Sequence, residues 1–196
     1  METAPYRADL AEGPDDVFAV WAYTADEARL RVAVWPAKNA TGTILLFPGR
    51  TEYIEKYGRI ARDLTAAGFS VAAIDWRGQG FSDRLADDRL LGHVMRFLDY
   101  QKDVTALQGV AATMNLPEPM YLLAHSMGAC IGLRALVEGL PVARAVFSAP
   151  MWGIEMPARK RPVAHVLPGL ARLVGQEKRY TPGNRPVVYD TEASVA

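Results

Sequence analysis

At 196 residues with half of them apolar, the chain can bury one substantial core, which excludes a disordered tail and favours one globular domain. Lysine plus arginine and aspartate plus glutamate balance at 22 each, with no run of five or more like charges, which argues against a nucleic-acid binder that works by phosphate neutralisation. The opening METAPYRADLAEGPDD lacks a basic start followed by an apolar run, and no stretch reaches the roughly 18 apolar residues of a spanning helix, so a cytoplasmic protein with small-molecule partners is the default expectation.

In chain order, residues 1–16 read as an irregular lead-in ending in the turn-prone Gly13-Pro14-Asp15-Asp16. Val17 to Tyr23 and Arg29 to Trp35 are two short β-rich runs around Thr24-Ala25-Asp26-Glu27. Leu30, Val32 and Val34 alternate there with Arg29, Arg31 and Ala33, the pattern of an edge hairpin. Thr43-Ile44-Leu45-Leu46-Phe47 is a continuous apolar run, as in strands buried on both faces. After Pro48-Gly49-Arg50-Thr51-Glu52, the residues Tyr53, Tyr57, Ile60, Ala61 and Leu64 recur at helical spacing until Gly68. Ser70 to Asp75 is the next buried strand, and it opens into Asp75-Trp76-Arg77-Gly78-Gln79-Gly80-Phe81-Ser82, whose glycines are not spaced for a dinucleotide. A polar connection over 85–95 leads to a helix marked by Phe97, Tyr100, Val104, Leu107, Ala111 and Met114 and closed by Asn115 and Pro117.

Met120 to Gly139, MYLLAHSMGACIGLRALVEG, then passes from an apolar strand through a small-residue turn into an amphipathic helix. At its centre Ala124-His125-Ser126-Met127-Gly128 fits a nucleophile elbow, in which a strained strand-to-helix turn lifts the serine Oγ clear of the backbone. Ala124 and Gly128 supply the small residues that strand and helix need where they pass close together, and Gly132 extends that face. A serine in this place also suits the plain role of a helix N-cap. As an elbow, it sets the Met127 backbone N–H and the positive end of the helix dipole toward a developing oxyanion. Cys130, the only cysteine, reads as a small core residue in this helix. A further strand, Ala143 to Ser148, follows. The alternation of strands and helices predicts an α/β fold, a mainly parallel sheet with helices on both faces. From Met151 the pattern changes. Val163, Val166, Leu167, Leu170, Ala171 and Val174 suggest a short amphipathic helix broken at Pro168-Gly169, and 175–196 has no strong period.

Three motifs at matching intervals, Phe47 to Glu52, Asp75 to Ser82 and Ala124 to Gly128, make the chain resemble the α/β-hydrolase superfamily, and within it the lysophospholipase and monoacylglycerol-lipase group. The resemblance covers about residues 17–150. It departs from the group's usual pattern at Pro48, where histidine is common, and at Ala124, where glycine is, and neither departure removes a reacting atom. What the resemblance implies is an α/β-hydrolase core over 17–150, the start of a cap or lid over 151–196, and an Asp75 to Ser82 turn that supports the elbow. It also implies a serine carboxylic-ester hydrolase needing no cofactor or metal: Ser126 attacks an ester carbonyl of a small or lipid substrate, and the Arg50 and Met127 backbone N–H groups form the oxyanion hole.

Chain order in that fold is serine, acid, histidine, which leaves only His165 after Ser126, since His93 precedes the elbow and His125 adjoins the serine. Glu155 with His165 would complete the order, yet no βαβ unit separates them and His165 sits among Val163, Val166 and Leu167. Asp190 and Glu192 have no histidine after them. The expectation is therefore a chain that holds nucleophile and oxyanion hole while acid and base lie beyond Ala196. Such a chain alone should be nearly inactive. A non-catalytic α/β-hydrolase-like binding module is the alternative, and an Asp or His beyond Ala196 separates the two. Arg159-Lys160-Arg161 adds the expectation of transient contact with an anionic lipid surface.

Overall fold

The computed structural model describes residues 1–88, 90–153, 155, 157–158 and 161–176. Six strands form one sheet: β1 (Phe18–Tyr23), β2 (Arg29–Trp35), β3 (Thr43–Phe47), β4 (Ser70–Ile74), β5 (Met120–His125) and β6 (Arg144–Ser148), in the spatial order β1-β2-β4-β3-β5-β6. The β1–β2 and β2–β4 pairs are antiparallel; β4–β3, β3–β5 and β5–β6 are parallel. The result is a parallel block with an antiparallel hairpin on one side, as the order of elements predicts. The apolar runs TILLF and SVAAI become β3 and β4, and both are buried along their whole length.

Alternation along the strands sends side chains to two cores. Val32, Val34, Leu45, Phe47, Ala72, Ile74, Leu122 and Ala124 meet helices α3 (Tyr100–Thr113) and α4 (Met127–Val137) on one face. Ala33, Trp35, Leu46, Val71 and Ala73 meet Ile54, Tyr57 and Ala61 on the other. Those three come from a 3₁₀ turn, Ile54–Tyr57, that runs into helix α2 (Gly58–Ala66). The helical period expected from Tyr53 onward is therefore real, but its first turn is tighter than α.

Three expectations need correction. Residues 1–16 are not wholly irregular: Thr3 bridges to Val20, Ala8–Ala11 form one helical turn (α1), and Ala4 and Ala11 are buried. Strand β2 does not alternate between core and solvent, because both of its faces are covered, Val32 and Val34 entering one core and Ala33 and Trp35 the other; Arg31 is 1% exposed. Its charge is met by carboxylates: Arg31 Nε donates to Asp75 Oδ2 at 2.7 Å, and its terminal nitrogens donate to both oxygens of Glu55 at 2.7 Å. Last, α5 (Arg161–Leu173) continues through Pro168 instead of breaking there. Proline removes one N–H and crowds the carbonyl four residues back. On this exposed helix the freed Ala164 carbonyl can turn to water.

Among the described residues, no helix is long and apolar enough to cross a membrane. Arg159 and Lys160, and with them most of the basic cluster, lie outside the described residues, as do 177–196 with Asp190 and Glu192.

Candidate active site

The parallel block ends where β5 delivers Ser126. This residue has φ 49° and ψ −114°, outside the regions open to ordinary L-residues, and the next residue begins α4. Its N–H donates to Ser148 O at 3.0 Å and its own carbonyl accepts from Met151 N–H at 3.1 Å, so the edge strand's exit pins the strained peptide from both sides. The turn is tight because α4 approaches the sheet closely. A Cβ on Gly128 would lie 2.3 Å from Phe47 O and 2.4 Å from Pro48 O, which no side chain can occupy. Ala124, fully buried, supplies the small residue on the strand side, and the Met127 side chain is buried beneath the helix start. Cys130 is half-buried in the same helix.

Opposite the elbow lies the loop after β3. Arg50 and Thr51 are exposed at its tip, while Pro48, Gly49 and Glu52 are buried. The Gly49 N–H donates to Glu52 Oε2 at 2.5 Å, Tyr57 OH donates to the same oxygen at 2.5 Å, and Lys56 Nζ ion-pairs with Oε1. Burial is the largest single influence on the Glu52 carboxyl and raises it, but the hydrogen bonds from Lys56, Tyr57 and Gly49 together hold it below the usual carboxylate range. Tyr57 is pushed up in turn, by burial and by its carboxylate acceptor. His125 lies alongside, with Nε2 3.9 Å from Glu52 Oε1 and its ring against Gly49.

The Asp75 to Ser82 turn, expected to support the elbow, instead grips this loop. Trp76 Nε1 donates to Pro48 O at 2.9 Å, and the Thr51 N–H donates to Gln79 Oε1. The turn is anchored by Asp75, whose Oδ1 accepts from Ile54 N–H and whose Oδ2 accepts from Phe81 N–H and Arg31. Gly80, at φ 51°, is required because a Cβ there would lie 2.0 Å from Asp75 Oδ2. Burial pushes the Asp75 carboxyl up, against the pull of Arg31. A second ion group stands behind it: Arg77 pairs with Asp103 and Asp26.

The structure thus brings Ser126, Met127, Ala124, His125, Gly128 and the Arg50 loop into one region. Among the described residues, neither the Arg50 nor the Met127 N–H has an acceptor in the protein, and no histidine is hydrogen-bonded to Ser126. His93 lies on the connection before α3, where its carbonyl faces Gly78 and its Nε2 is buried without a partner among the described residues. Glu155 is exposed. No three His, Cys, Asp or Glu side chains gather as a metal needs among the described residues. Sequence reasoning missed Glu52 and Gln79 as the residues that hold the loop. No local signal singled them out, since Arg50 and Thr51 stand beside Glu52, and Asp75, Arg77 and Ser82 near Gln79, as equally able hydrogen-bonding side chains.

The family described as serine aminopeptidase, S33 matches residues 38–192. The chain is 39% identical over 130 residues to lysophospholipase L2 of Escherichia coli strain K12, covering 66% of this chain and 38% of that protein. It is 30% identical over 155 residues to the probable lysophospholipase L2 of Haemophilus influenzae, covering 78% of this chain and 48% of that one. The chain therefore spans less than half the length of either relative. Among solved structures, a thermostable carboxyl esterase from Bacillus coagulans superposes with a TM-score of 0.63 at 17% identity, covering 83% of this chain and 52% of the esterase, a likeness of fold.

Proposed function

The chain belongs to the serine aminopeptidase S33 family of α/β-hydrolases, and from that premise we propose that it is a serine carboxylic-ester hydrolase of lysophospholipase or monoacylglycerol-lipase type, with Ser126 as nucleophile. The observation that carries this reading is the backbone of Ser126, a non-glycine residue held at φ 49° between a buried strand and a helix N-terminus. Such strain, of order 1–3 kcal/mol, persists only where the surroundings enforce it. A helix cap or a binding scaffold needs no such conformation; a serine that must present Oγ to a carbonyl does.

In the proposed reaction Ser126 Oγ attacks the ester carbonyl, and the oxygen that gains charge is received by the Arg50 and Met127 N–H groups. The N-terminal end of α4 adds its dipole to that site. The acyl group is held on Ser126 as an ester, the alcohol leaves, and water releases the acid. Lysophospholipids or monoacylglycerols are the proposed substrates, because the similar proteins include lysophospholipase L2 and a monoacylglycerol lipase. Residues 17–150 are the proposed core and 151–196 the start of the cap.

Among the described residues no histidine is hydrogen-bonded to Ser126, and a serine without a base remains a neutral hydroxyl at pH 7. Turnover by this chain alone is then expected to stay near the residual of about 10³ to 10⁴ over water that survives loss of triad members. A nitrophenyl ester, a monoacylglycerol and a lysophospholipid assayed with the chain, Ser126→Ala and His165→Ala provide the test. Feeble turnover that falls further only in Ser126→Ala supports the reading. Robust turnover lost in both variants would make Glu155 and His165 the working pair.

A further inference from the structure

Three successive peptide groups in the loop after β3 are treated differently by their surroundings. The Gly49 N–H is taken by Glu52 and the Thr51 N–H by Gln79, while the Arg50 N–H between them has no acceptor among the described residues. We propose that Glu52 and Gln79 are positioning residues which, by fixing the N–H groups on either side, aim the Arg50 N–H at the reacting oxygen above Ser126. This inference rests on the reading of Arg50 as an oxyanion donor.

Each half of the clamp is itself anchored. The Glu52 side chain is 10% exposed and receives Tyr57 OH and Lys56 Nζ as well as the Gly49 N–H, so the carboxylate cannot swing without leaving a buried hydroxyl unpaired. There is no room to alter Gly49, since a Cβ on it would lie 2.7 Å from Glu52 Oε2 and 3.1 Å from the His125 ring. Gln79 is 5% exposed, and its Nε2 is buried with no partner among the described residues. Filling space alone is a task an apolar side chain performs without stranding a donor. What Gln79 contributes is its carbonyl oxygen, and that oxygen meets Thr51.

The backbone records the result. Thr51 sits at φ 60°, in the left-handed region that a β-branched residue adopts only when it is held there. Trp76 Nε1 fixes the preceding carbonyl, that of Pro48, from the other side. The clamp is continuous with the buried charges through Asp75, whose carboxylate accepts Phe81 N–H from the turn that carries Gln79 and Ile54 N–H from the segment just after Glu52. A donor fixed before the reaction costs no reorganisation when charge develops, which is the condition for an effective oxyanion hole.

Amide hydrogen exchange on the ¹⁵N-labelled chain reads the clamp without any chemistry at Ser126. Gly49 and Thr51 are expected to exchange at least about tenfold more slowly than Arg50. Gln79→Met should release Thr51 and leave Gly49 slow, and Glu52→Ala should do the reverse. Phenylboronic acid, which adds to a serine oxygen and becomes a tetrahedral anion, then reads the aim of the donor. Its affinity should fall by about tenfold or more in either variant, since misplacement of about 1 Å can cost 10²-fold. Glu52→Gln keeps an acceptor for Gly49 and should recover most of that loss, which a merely stabilising role would not predict. Equal exchange at all three amides, or unchanged boronate affinity in both Gln79→Met and Glu52→Ala, overturns the proposal. If the boronate binds the unaltered chain and Ser126→Ala alike, the oxyanion reading of Arg50 falls, and the exchange pattern alone decides whether the clamp exists.

Discussion

The two sides of the sheet are built on different principles. Toward β2 and β4, strands are covered on both faces and even an arginine is buried, because Arg31 is paired with Glu55 and Asp75 at 2.7 Å. Toward β6 the pattern reverses. Exposure alternates along that strand, with Val146 at 61%, and Val163, Val166, Leu170 and Leu173 of α5 are exposed. Ser126 stands between the two, and its strained peptide draws support from both: Gly128 closes on β3 from the covered side, and Ser148 O accepts its N–H from the bare one. The site is therefore framed by interior packing and charge, and only its last hydrogen bonds come from the edge.

The largest effect expected from breaking this arrangement is on the covered side. Arg31→Met leaves Glu55 and Asp75 buried without a countercharge and should cost about 3 to 5 kcal/mol of stability, read as a lowered urea midpoint. Next is Gly128→Ala, which forces a methyl against Phe47 O and Pro48 O. Overpacking of that kind costs about 1 to 3 kcal/mol, and here it should also widen the gap between elbow and Arg50 loop, lowering any labelling of Ser126.

A pH series sharpens the account of the second ion group. Burial raises the Asp103 carboxyl to about 6, against the pull of Arg77. Between the ordinary carboxylate range and pH 6 the folded chain binds this proton more tightly than the unfolded chain does. Stability from this group is thus fully present at lower pH and declines as pH rises through that window. Asp103→Asn should remove that slope, and thermal midpoints of both proteins from pH 4 to 7 check it. The smallest effect belongs to the bare side. Val146→Lys changes an exposed edge position, so stability should move by no more than about 0.5 kcal/mol. Self-association measured by sedimentation should fall, because lysine on an edge strand opposes pairing with another edge.

How much of this was legible follows from the kind of signal each part carries. β3, β4, β5 and the elbow could be read because continuous apolar runs and small residues at fixed offsets are local properties. The role of Arg31 could not be read, since an arginine in an alternating strand looks solvent-facing until Glu55 and Asp75, 24 and 44 residues away, fold against it. Pro168 misled for a related reason: its penalty is set by surroundings that a local rule does not contain. The Asp75 to Ser82 turn was recognised as structural but assigned to the wrong neighbour, because its contacts with Pro48 and Thr51 span 28 residues.

A fluorophosphonate tests whether the strained serine is the nucleophile. The chain is incubated with the probe, digested, and the adduct located by mass spectrometry. One adduct is expected, on the peptide carrying Ser126, formed slowly and abolished in Ser126→Ala. Labelling that persists in Ser126→Ala, or that maps to another serine, would contradict it.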